Sequence, residues 1–159
     1  MFTTKKRLSL FAVVGSVVAI VAVAAAPPTL PSAGANIVGT WRLVVSHADL
    51  GDFFTLMMFD KRNTMTDNAS LHGGTSLGSG VWERTAGHDT YAGMFEAWND
   101  DDFDGTYDTR AQIRLTIQVD GDTLIATATV NIFTLDGNTL LASIPGFIVG
   151  GTRMTVIPE

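Results

Sequence analysis

Between Ala111 and Val119 the chain alternates without error. Ala111, Ile113, Leu115, Ile117 and Val119 are apolar, and Gln112, Arg114, Thr116 and Gln118 separate them. A period of two sends successive side chains to opposite faces of an extended backbone, so this stretch predicts a strand with one buried and one wet face. Asp120-Gly121 follows, a pair suited to reversing the chain within two residues. The segment 123–133 then repeats the pattern. Leu124, Ala126, Ala128, Val130 and Ile132 share one face, opposite Thr123, Thr127, Thr129 and Asn131. A second turn pair, Asp136-Gly137, leads into another strand from Thr139. The two turns head a short internal repeat, DGDTLIAT at 120–127 and DGNTLLAS at 136–143. A recurring turn plus strand describes a β-meander, not a solenoid.

The same reading extends upstream. Strands are expected over Ile37–His47, Phe53–Phe59, a short Asn63–Asp67, Gly80–Thr85 and Thr90–Trp98, with Gly146–Ile157 continuing or bending the last one. No segment sustains a helical period. About eight strands with short connections predict an all-β fold, antiparallel and up-and-down, closed into a barrel because closure removes exposed edges. A length of 159 residues suits one domain, and the absence of Cys excludes disulfides, thiol catalysis and Cys-ligated metals.

The mean hydropathy of +0.25 is inflated by the N-terminus. Lys5, Lys6 and Arg7 precede an uncharged apolar run over Leu8–Ala26 that ends in small residues. A basic start, an apolar stretch and an A-x-A ending describe a signal peptide over 1–25, cut after Ala24 or Ala25. An uncleaved anchor over 8–26 is the alternative, since the run approaches the roughly 20 residues that span a bilayer. Residues 26–36 then form a Pro/Gly linker, and 37–159 the barrel domain. The expected location is secreted or extracytoplasmic. Past Ala26 the chain carries seven basic and sixteen acidic residues, a net charge of −9. That balance opposes nucleic-acid binding and any membrane association beyond export.

Gly39-Thr40-Trp41 opens the first strand and Gly151-Thr152-Arg153 lies in the last. This pair resembles the G-x-W signature and the late Arg of lipocalins and related calycin barrels, and more loosely small bacterial barrels of the allene-oxide-cyclase-like type. The resemblance implies a structural role for Gly39, Trp41 and Arg153: Trp41 closes the barrel base, with Arg153 across its face as a cation–π contact. The other lipocalin motifs, and the helix usual after the last strand, are missing.

Three function classes follow. The first is a binding protein holding a small apolar molecule between Leu43, Val45, Phe54, Met58, Phe95, Leu115, Ile117 and Ala128, which requires an apolar cavity of roughly 300 Å³ or more. The second, implied by the looser resemblance, is a cyclase or isomerase acting on an apolar substrate, with His47 or Glu96 as acid or base. The third is a packed extracellular module with no cofactor except calcium. Its motif is Asn99–Asp108, where Asp100, Asp102 and Asp104 alternate ahead of Gly105, as at the start of a calcium loop, and Asp108 takes the ninth position. The twelfth position is Ala111, not Glu, so the alternative is a solvated acidic hairpin tip. His47, His72 and His88 form no zinc spacing.

Overall fold

The computed structural model describes residues 36–69 and 75–155. The expected signal peptide and most of the linker lie outside those residues. Eight strands appear: β1 (Gly39–His47), β2 (Gly51–Phe59), β3 (Thr64–Ala69), β4 (Gly78–Arg84), β5 (Thr90–Asn99), β6 (Thr109–Asp120), β7 (Thr123–Thr134) and β8 (Leu140–Arg153). Each pairs antiparallel with its chain neighbours, and β1 pairs with β8, closing an up-and-down barrel. Among the described residues there is no helix, and so none long and apolar enough to cross a membrane.

Register explains the core. Across β6 and β7, Ile113 faces Val130, Leu115 faces Ala128, Ile117 faces Ala126 and Val119 faces Leu124. Facing residues share a side of the sheet, so both apolar rows enter the interior together. The hairpin loop is Gly121 and Asp122, because Asp120 pairs with Thr123. The turn thus sits one residue later than the Asp-Gly pair suggests, with Gly121 taking the positive φ of 57° at the first loop position. β8 runs unbroken through Pro145-Gly146, where its pairing with β7 slips by a residue. Pro145 cannot donate to the ladder, and a bulge is where a sheet tolerates it.

One end of the barrel is shut. Trp41 is fully buried, and its Nε1–H donates to the Ile37 carbonyl at 2.8 Å. The Arg153 guanidinium lies 4.3 Å from the Trp41 ring centroid. Its Nε–H donates to Asp122 at 2.9 Å, and its two Nη groups donate to the carbonyls of Val38 and Asn36. A Cβ on Gly39 would sit 2.7 Å from Arg153 Nη1, and Gly39 holds φ at +140°. Glycine therefore leaves room for the guanidinium. Phe59, Trp82 and Tyr91 pack edge-to-face above this plug, at 6.3 and 5.7 Å between centroids.

An apolar cavity with one buried carboxyl

At the other end the interior does not fill. A cavity of about 220 Å³ opens there, walled by Val45 of β1, Phe53 and Met57 of β2, Phe95 of β5, Leu115 of β6, Ala128 of β7 and Phe147 of β8. It is smaller than the roughly 300 Å³ expected, and the bulky rings of Phe53, Phe95 and Phe147 are part of its wall. A dry cavity of about 150 Å³ lined by such groups holds benzene, so this one suits a single ring with a short chain.

Four of the eight anticipated interior residues line it: Val45, Phe95, Leu115 and Ala128. Leu43 and Ile117 are buried in the core but do not line the cavity. Phe54 and Met58 need correcting. They are 62% and 48% exposed on the outer surface. Pairing places Phe53, Thr55 and Met57 opposite Val45, Leu43 and Trp41, whose side chains point inward, so the inner row of β2 is the odd one.

That odd row carries a polar group inside. Thr55 is buried, and its hydroxyl donates to the Asp67 carboxylate on β3, itself only 8% exposed. Both line the cavity, and the other polar side chains that do so are Thr75 and Asn99. Burial pushes the Asp67 carboxyl up to about 6 from 3.8, against the opposing pull of the Thr55 hydrogen bond. No salt bridge reaches Asp67 among the described residues. Asp67 was not among the sequence candidates. The available signal was Met65: on a strand, the residue two places from a buried Met shares its face.

The two residues anticipated as acid or base are elsewhere. Glu96 stands on the outer row of β5, accepting from Arg110 Nη1 at 3.0 Å and Gln112 Nε2 at 3.2 Å. His47 ends β1. Its Nδ1 accepts from the Asp49 amide at 3.2 Å, which leaves Nε2–H to donate to the Pro145 carbonyl at 3.2 Å. Its ring packs 4.5 Å from that of Phe147. It fastens β1 to β8 and does not line the cavity. His88 is exposed, and His72 lies outside the described residues.

The acidic segment forms the β5–β6 loop, directly after the cavity-lining Asn99. Asp100, Asp102 and Asp108 bring one carboxylate oxygen each within 4.8 Å of one another. Asp104 is not in that group; it accepts from the Thr106 amide at 2.7 Å. The loop's own amides already use the others. Asp104 N–H donates to Asp100 and Asp102 at 3.1 and 3.3 Å, Gly105 N–H to Asp100 at 2.9 Å, and Asp101 N–H to Asp108 at 2.8 Å.

No family model, curated protein or solved structure matches the chain. The closed eight-stranded barrel is compatible with the lipocalin-like architecture that the two glycine-led motifs imply.

Proposed function

We propose that this protein is an exported, lipocalin-like barrel that binds one small apolar molecule in its interior. The observation that carries this reading is the one-ended apolar cavity of about 220 Å³ above a base sealed by Trp41 and Arg153. Small barrels either fill their interior with side chains or hold one ligand, and here a packed half and an open half share one barrel. The export part rests on the basic-then-apolar N-terminus. The enzymatic reading loses its two candidate groups, since neither His47 nor Glu96 lines the cavity.

The test is a titration with alkylbenzenes of rising chain length, followed through the methyl resonances of Val45, Ile113 and Leu115. Short-chain members shift these resonances saturably. Ala128→Phe, which places a ring in the cavity, abolishes the shifts while the fold persists. Absence of saturable shifts at every chain length would sink the proposal.

A further inference from the structure

A carboxylate is a costly group to bury in an apolar wall, and the cost falls only when a partner cation or several donors meet it. Asp67 receives one hydrogen bond, from Thr55, and no cation, among the described residues. It is also the one titratable side chain among the described residues that line the cavity. The basic residues nearby in sequence, Lys61 and Arg62, are exposed. Among the described residues, then, nothing supplies the counter-charge, and the wall beside Asp67 is largely apolar.

A second, independent feature points to the same charge. The β5–β6 loop that follows Asn99 carries Asp100, Asp101, Asp102, Asp104 and Asp108 at the end of the barrel where the cavity opens. Asp100, Asp102, Asp104 and Asp108 accept from backbone amides and Asp101 from the Thr109 hydroxyl, neutral donors that fix the carboxylates without neutralising them. A cleft rimmed by one sign of charge raises the local concentration of the opposite sign and speeds its entry.

We infer that the ligand is a small apolar amine, whose ammonium group donates to Asp67 while its ring or chain packs among Phe53, Phe95 and Phe147. This rests on the cavity being a binding site at all, and it narrows the class of molecule. Neutral hydrocarbons of equal size fit the wall but leave Asp67 without a cation. Carboxylic acids meet both the rim and Asp67 as like charges.

The test compares 2-phenylethylamine with propylbenzene, matched in size, by calorimetric titration of the purified chain and of Asp67→Asn. A hydrogen bond to a charged group is stronger than one between neutral groups, so the amine binds about tenfold or more tightly than propylbenzene to the unsubstituted protein at about pH 8. In Asp67→Asn that preference disappears while propylbenzene binding persists. The unsubstituted protein supplies the same readout without a mutation. The amine stays charged at about pH 5, whereas Asp67 takes up a proton, so the preference shrinks there. Equal binding of the two probes overturns the amine assignment and leaves the apolar site standing. An amine preference that survives both Asp67→Asn and low pH removes Asp67 from it. If neither probe binds, the cavity reading falls as well.

Discussion

At the scale of single residues, Asp67 works against the fold that contains it. Its carboxyl ionises at about 6 in the folded protein, against 3.8 in a free chain. Between those values the folded state holds a proton that the unfolded state has released, so stability falls as pH rises through that window. The shift corresponds to about 3 kcal/mol lost once pH exceeds the folded value. Asp67→Asn keeps an acceptor for the Thr55 hydroxyl and removes the charge. We expect the variant to exceed the parent by about 2–3 kcal/mol at about pH 8 and to match it at about pH 4. Urea denaturation of both proteins at the two pH values measures this. A variant equally stable to the parent at both would mean that Asp67 is not desolvated. A stabilising substitution at a buried carboxyl is the pattern of a residue kept for binding at the expense of stability.

Elements differ in how openly the sequence declares them. β6 and β7 alternate strictly, so both their existence and their inward faces follow from period two. β2 does not alternate: Phe53-Phe54-Thr55-Leu56-Met57-Met58-Phe59 is apolar at six of seven positions. Its phase is set by pairing with β1, a non-local constraint, and the inner row turns out to be the one that includes Thr55. The lone polar residue in that run therefore faces inward, where its hydroxyl donates to Asp67. β3, with Met65 as its one large apolar side chain, carried too little pattern to place Asp67. The barrel was therefore legible from local signals and its Trp41 base from the resemblance that Gly39-Thr40-Trp41 and Gly151-Thr152-Arg153 carry, whereas the polar group in the cavity was not. β4 shows a second non-local demand. A Cβ on Gly80 would lie 2.0 Å from the Met94 carbonyl oxygen and 2.5 Å from Phe95 Cα, so the β4–β5 approach excludes any side chain there. Gly80→Ala should destabilise by about 2–3 kcal/mol, in the range of core overpacking. Gly121→Ala meets no atom within 4 Å and strains only a φ of 57°, for about 1 kcal/mol. Thermal melts of the two variants rank them, and a reversed order would mean that strand spacing at Gly80 relaxes freely.

At the scale of the whole barrel, the closing seam holds the fold together. No disulfide ties the chain, and the first strand meets the last across more than a hundred residues of sequence. Non-local pairing of this kind carries a large loop-closure entropy that must be recovered in packing. Trp41, Leu43 and Val45 face Arg153, Gly151 and Val149 along the seam, which joins the plug at one end to the cavity wall at the other. Of the seam's glycines the most tightly enclosed is Gly151, where a Cβ would lie 2.1 Å from the Arg42 carbonyl oxygen and 2.9 Å from Leu43 Cα. A methyl group there forces β1 and β8 apart and uncovers two edges that pair with other chains. Gly151→Ala should thus do more than lower the melting temperature. It should broaden the unfolding transition and shift the protein to higher-order species on size exclusion, with loss of the propylbenzene binding proposed above, because the cavity needs the seam to exist. A variant that elutes as the parent does, melts as sharply and binds as the parent does would show that the open sheet is stable by itself.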